Sequence, residues 1–199
     1  MMAHQITILP LVAVKSGIPC YAPDPLKAFV SENDPAQAVM TDFKKVTPIT
    51  IEPVVGIDVA LSKMKSLGVR LLFVTDEFDN ISGVITSYDI QDEKPIKYAE
   101  QSGIDHNHIQ VEMIKTPLEK IPAFDMEFVR QSVVRHVVTT MQELDSVHAL
   151  IIEINNNTAQ QTIRGMFSST QISKLLGIDI YEPVHAAHSL ADMQHELGH

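Results

Sequence analysis

The chain has 199 residues, of which 45% are hydrophobic, 20% charged and 6% aromatic. That balance supplies a core and excludes a disordered chain, and the length fits one medium domain or two small ones packed together. Lys plus Arg is 15 against 25 Asp plus Glu, a formal charge of −10, with no basic cluster. General nucleic-acid binding is thereby excluded, whereas one small anion in a local pocket stays compatible with the charge.

Residues 1–36 hold Pro10, Pro19, Pro23, Pro25 and Pro35 and read as an irregular extension with a short strand over Ile6–Val14. That apolar run, broken by Pro10, is too short to span a bilayer, and no positively charged leader precedes it. Cys20 is the single cysteine, so no intramolecular disulfide forms, which fits a reducing compartment. The expectation is a soluble, cytoplasmic protein with no membrane partner.

The chain then repeats itself, and a repeat decides the fold. Ile57, Ala60, Leu61, Met64 and Leu67 follow helical spacing, and Val134, Val137, Val138, Met141 and Leu144 repeat that face further on. Each helix leads into a buried strand, Val69–Thr75 in the first copy and His148–Glu153 in the second. Asx-rich turns follow at Asp76–Asn80 and Asn155–Thr158. Second strands come next, Ile81–Ile85 and Thr162–Phe167, and each runs into a short helix beginning Thr86-Ser87 or Ser168-Ser169. The latter helix stops at Leu176 before Gly177. Upstream, Met40 stands before Pro48 much as Met113 stands before Pro122. Units this small bury little surface alone, so the two copies should pack on each other. Residues 91–112 read as a polar connector, and 181–199 as a tail helix through Val184, Leu190, Met193 and Leu197.

These residues resemble the CBS domain, named after cystathionine β-synthase, present as a tandem pair or Bateman module. The first copy carries the closer match: Val39-Met40-Thr41-Asp42, Val46-Thr47-Pro48, the helix Asp58–Leu67, Gly68-Val69-Arg70, Val74-Thr75-Asp76 and Gly83-Val84-Ile85-Thr86-Ser87-Tyr88-Asp89-Ile90. The second copy shares the helix, the strands and Gly165-Met166-Phe167-Ser168. The resemblance covers residues 37–180. It implies an α+β fold of two β-α-β-β-α CBS units packed as a pseudo-twofold pair, sheets face to face. The expected organisation is an extension 1–36, CBS domain 1 over 37–95, a connector 96–112, CBS domain 2 over 113–180 and a tail 181–199. The family further implies two clefts that take AMP, ADP, ATP or S-adenosylmethionine, a homodimer, and a regulatory role exercised on a partner protein. The extension and tail are too short to be read as a catalytic or effector domain.

By that resemblance Thr86 and Asp89 lead the candidate ligand residues, Thr86 with helix amides for a phosphate and Asp89 for the ribose hydroxyls. The same pair also reads as a helix capping box that binds nothing. Ser168 and Gln171 are the matching pair, with an amide in place of the acid, so an unequal second cleft is expected, while the capping reading survives there too. Thr47 and Pro48 would place backbone near the adenine, or simply start an edge strand, with Ile121 and Pro122 as their counterparts. Arg70 and His148 are read as equivalent positions before the inner strands, and Arg164 precedes Gly165. Each can meet a phosphate or be held in an ordinary salt bridge or surface.

His185 and His188, and His195 and His199, share a face of the tail helix at spacings a metal site uses, while His106 and His108 lie in the connector. No cysteine accompanies them, and a solvated tail is the plainer reading. Cys20 has no activating neighbours, Ser16-Gly17 is not a nucleophile elbow, and neither a Walker-type loop nor an HExxH sequence is present. The reading is a non-enzymatic regulatory module, with a ligand-free interaction module of the same fold as the alternative.

Overall fold

The structure, a computed structural model, describes residues 30–181. The strand expected over 6–14, Cys20, and the tail with its four histidines lie outside the described residues. In chain order the elements are β1 (Thr41–Asp42), β2 (Thr50–Ile51), α1 (Ile57–Leu67), β3 (Leu71–Thr75), β4 (Ile81–Thr86), α2 (Ser87–Gln91), α3 (Lys94–Ser102), α4 (Val111–Ile114), β5 (Thr116–Pro117), β6 (Ala123–Asp125), α5 (Met126–Gln131), α6 (Val134–Glu143), β7 (His148–Ile154), β8 (Gln161–Ser168) and α7 (Ser169–Leu176). This is the expected α+β fold of two similar units.

The long helices bury the faces their spacing foretold: Ile57, Ala60 and Met64 in α1, and Val134, Val137 and Met141 in α6. Leu67 and Leu144 are the exceptions, 51% and 53% exposed at equivalent helix ends. Helix α1 stops where Gly68 turns left-handed, with φ 67°. The hairpin turns are built as their Asx residues require. Asp76 Oδ1 accepts from the amides of Phe78 and Asn80, both at 2.8 Å, and Asn155 Oδ1 accepts from Asn157 and Thr158 at 2.9 and 3.2 Å.

Two four-stranded sheets result, ordered β2-β3-β4-β5 and β1-β8-β7-β6. Their edges are exchanged. Strand β1 precedes the first unit yet pairs antiparallel with β8 of the second, and β5 precedes the second unit yet pairs with β4 of the first. Two glycines permit this. A Cβ on Gly83 would lie 2.6 Å from the Thr116 carbonyl oxygen, and one on Gly165 would collide with the Thr41 carbonyl oxygen and the Met40 side chain. A backbone atom that close leaves no room for any side chain.

The core has three parts. Leu72, Val74 and Ile85 pack on α1 and α2, and Ile151 and Phe167 pack on α6 and α7. Phe73, Val84, Leu150 and Met166 fill the space between the sheets. Alternation along a strand sends successive side chains to opposite faces, so each strand serves a helical core and the shared one. Phe43 stands edge-on to Phe73 at 5.3 Å within the shared layer.

The stretch read as a polar connector is revised. Residues 91–112 include α3 and the start of α4, and Ile109 and Val111 are fully buried in the first unit's helical core. Its backbone is stitched there, Ile57 N–H to Ile109 C=O at 3.1 Å and Val111 N–H to Val55 C=O at 2.8 Å. Polar residues mask the pattern because only a few positions of this stretch touch the core. The segment ahead of the first unit behaves likewise towards the second: Ala36 and Val39 are buried among Val129, Val134 and Ile172, and Val134 N–H reaches Asp34 C=O at 2.9 Å.

Candidate functional site

The pairing register brings one end of the first sheet together. Thr50 stands opposite Phe73 in the parallel pair, so Pro48 comes level with Leu71, whose antiparallel partner is Thr86. Thr47, Pro48 and Thr86 therefore share an end of the sheet, with Thr47 exposed and Pro48 half-buried. Strand alternation turns Thr86 to the same face as Val84, which fills the layer between the sheets.

At Thr86 the chain enters α2, and the capping box foreseen from the sequence is fully formed. The Asp89 amide donates to Thr86 Oγ1 at 3.1 Å, and the Thr86 amide donates to Asp89 Oδ2 at 2.9 Å. The Thr86 hydroxyl also donates to Asp89 Oδ2, at 2.8 Å. The other carboxylate oxygen accepts from Lys94 Nζ at 2.7 Å, and that ammonium reaches Thr116 Oγ1 at 3.4 Å. Asp89 is largely enclosed, its side chain 16% exposed, whereas Lys94 is 40% exposed.

His148 begins β7 and faces the shared layer, as Leu150 does two positions on. Burial pushes its pKa down to about 4, against an opposing pull from the Asp89 carboxylate. Desolvation disfavours the imidazolium, so this histidine is neutral at neutral pH. Strand alternation turns both His148 and Thr86 toward the layer between the sheets.

The second unit is built differently at the matching place. Ser168 is the N-cap of α7 but makes no side-chain capping bond. Gln171 Oε1 instead accepts from the Thr41 hydroxyl at 2.9 Å. The capping reading of Ser168 and Gln171 is therefore corrected: the amide serves the exchanged strand β1. Register makes Thr41 the counterpart of Thr116, since Thr41 pairs with Met166 and Thr116 with Val84. Both threonines point a hydroxyl toward the third residue of the neighbouring helix, and in the first unit a lysine stands between, whereas in the second the hydroxyl bonds that residue directly.

Two arginines sit away from this place. Arg70 is exposed, its guanidinium 3.5 Å from the Tyr88 hydroxyl, beside a groove of about 480 Å³ between α1 and α2. It is not the counterpart of His148, because Leu71 pairs with Thr86 as His148 pairs with Ser168. The Ser87 amide bonds to Arg70 C=O and the Ser169 amide to Val147 C=O, making Val147 the equivalent of Arg70. An offset of one residue sends a side chain to the opposite face of a sheet. Arg164 forms a two-pronged ion pair with Asp42, side chains 11% and 14% exposed. That guanidinium holds the Asp42 carboxyl below its ordinary range. Lys44 and then Arg130 hold Glu153 low in the same way. Arg164 thus fastens β1 to β8, the salt-bridge reading.

Lys94 and Thr116 were absent from the sequence reading. Lys94 sits in a stretch taken for linker, and Thr116 gains its meaning only from the exchanged edge. Among the described residues no group of three or more His, Cys, Asp or Glu could hold a metal ion. No described helix is long and apolar enough to cross a membrane.

Comparison with known proteins agrees with this architecture. A sequence-family model described as CBS domain matches residues 27–94. Among curated proteins none matches. A solved structure of a conserved protein from Pyrococcus horikoshii is 21% identical with a TM-score of 0.50, covering 72% of this chain and 92% of that one. A conserved CBS domain protein from Thermoplasma acidophilum is 14% identical with a TM-score of 0.50, covering 75% of this chain and 77% of that one. At these identities the likeness is one of fold. Residues 27–94 thus match the CBS domain in sequence, and the fold of the described residues, two similar units with exchanged sheet edges, is similar to that of a conserved CBS domain protein.

Proposed function

We propose that the chain is a regulatory module that binds an adenosine-containing ligand beside Thr86 and Asp89 and transmits the change to a partner protein. The observation that carries this reading is the Asp89 carboxylate, a two-oxygen acceptor at the sheet end shared by Thr47, Pro48 and Thr86. A carboxylate suits the paired hydroxyls of a ribose. The extended backbone at Thr47 and Pro48 supplies groups for the edge of an adenine. Lys94, the exposed partner of Asp89, is the contact a ligand can exchange. The second unit has an amide already engaged with Thr41, so one ligand per chain is expected. A ligand that binds one relative arrangement of the units more tightly shifts the population toward it. In this reading the module works as a cytoplasmic homodimer and performs no catalysis.

The second reading is a ligand-free interaction module, favoured by one observation: both Asp89 oxygens are already satisfied within the chain. Isothermal titration of the full chain with AMP, ADP, ATP and S-adenosylmethionine decides between them, alongside Asp89→Asn. Asn keeps an acceptor for the Thr86 amide while removing the charge. Binding of one ligand per chain, weakened about tenfold or more in the variant, supports the proposal. No binding of any of the four moves the chain to the interaction reading.

A further inference from the structure

The geometry points to Lys94 as the residue that selects ligand charge at Asp89, admitting a phosphate-bearing adenosine ligand and rejecting a cationic sulfonium one. This inference rests on the adenosine reading above and adds the class of ligand.

Lys94 Nζ lies 2.7 Å from Asp89 Oδ1 and 3.4 Å from Thr116 Oγ1, so a single ammonium balances a single, largely enclosed carboxylate. Across the shared layer stands His148, neutral at neutral pH, which adds no charge. Arg164 is committed to Asp42, and Arg70 lies on the outer face beside Tyr88. Among the described residues the carboxylate thus has one cation, and that cation comes from α3.

A ribose that takes Asp89 must loosen the lysine. Removing one member of an enclosed pair leaves the other charge poorly compensated, which is costly. A ligand phosphate gives the displaced ammonium a new charged partner, and charge-assisted hydrogen bonds are the strong ones. A sulfonium supplies a second cation beside it instead, and like charges at short range repel. Lys94 has room to move. It lines a groove of about 400 Å³ between the α2–α3 junction and α4, with Tyr98 and Met113 as apolar walls and Asp92, Glu93 and Lys97 as the other charged groups. Glu93 and Lys97 pair with each other at 2.5 Å, so they neither compete for Lys94 nor replace it.

The test is titration of the full chain with adenosine, AMP, ATP and S-adenosylmethionine, in wild type, Lys94→Met and Lys94→Arg, with thermal unfolding as a check on the fold. The wild type is expected to bind AMP about tenfold or more tightly than adenosine or S-adenosylmethionine. Lys94→Met should lose that preference, binding adenosine at least as tightly as the wild type does and AMP no more tightly than adenosine, and Lys94→Arg should retain it. If AMP and adenosine weaken equally in Lys94→Met, or S-adenosylmethionine rivals AMP in the wild type, the lysine inference fails while the adenosine reading stands. If no adenosine compound binds any of the three proteins, the adenosine reading fails and takes this inference with it.

Discussion

The two units share a backbone plan but place different chemistry at the same spot. In the first, Thr86 caps its helix, Asp89 returns the bond, and Lys94 balances the charge. In the second, Ser168 leaves its helix without a side-chain cap and Gln171 bonds Thr41. The first position is charged and carries an exchangeable partner. The second is neutral and ties down an edge strand. Near-identical topology therefore supports one candidate binding position and one structural joint, and the difference lies in the cap, in carboxylate against amide, and in the lysine that balances the carboxylate.

The largest expected test of this contrast lies in pH. His148 has a native pKa pushed down to about 4 from an ordinary value near 6.5. The unfolded chain takes up a proton that the native protein refuses, so stability is complete above about pH 6.5 and falls as pH drops toward 4. The loss approaches about 3 kcal/mol at the low end of that window. Urea unfolding at pH 7, 6, 5 and 4.5 should show it, and His148→Gln should flatten the curve over that range. An unchanged slope in the variant would assign the acid sensitivity to other groups.

Next come the two glycines. Gly83→Ala and Gly165→Ala each force a Cβ against the backbone of an exchanged strand and should cost about 1–3 kcal/mol. Gly165→Ala should cost more, since its Cβ would come closer to the Thr41 carbonyl oxygen than a Cβ at Gly83 comes to that of Thr116. Chemical denaturation measures both, and equal stability to wild type in either would mean that its edge strand can shift freely. The smallest contrast is the cap. Thr86→Ala should destabilise by about 1 kcal/mol, whereas Ser168→Ala should stay within about 0.5 kcal/mol. Equal losses would mean that Ser168 caps its helix in solution as Thr86 does.

What the sequence made legible is what repeats locally. The faces of α1 and α6, the hairpins β3–β4 and β7–β8 and their Asx turns follow from spacing and turn chemistry alone, as does the Thr86/Asp89 box. What it concealed depends on distant partners. Nothing in Thr41-Asp42 announces that these residues join the second sheet, so neither the Gln171 bond nor the Arg164 pair was foreseeable. Residues 91–112 touch the core at too few positions to show a period. Arg70 and His148 were matched one residue out of step, an offset that periodicity cannot resolve because both positions border an apolar strand. Lys94 escapes notice because it lies in that stretch, and Thr116 for want of its partner strand.

The exchanged edges also set an order of events in time. The first sheet draws all its strands from residues 50–117 and can be completed once that stretch has been synthesised. The second cannot, although its edge strand β1 is made early. Asp42 must wait for Arg164, 122 positions downstream. Closing so long a loop is slow compared with local pairing, and chains emerge N-terminal end first. A nascent chain therefore carries an unpaired strand, with the buried-to-be Ala36, Val39 and Met40 beside it, through most of its synthesis. That interval is when the protein is most exposed to pairing with another copy of itself, and its length is written into the topology.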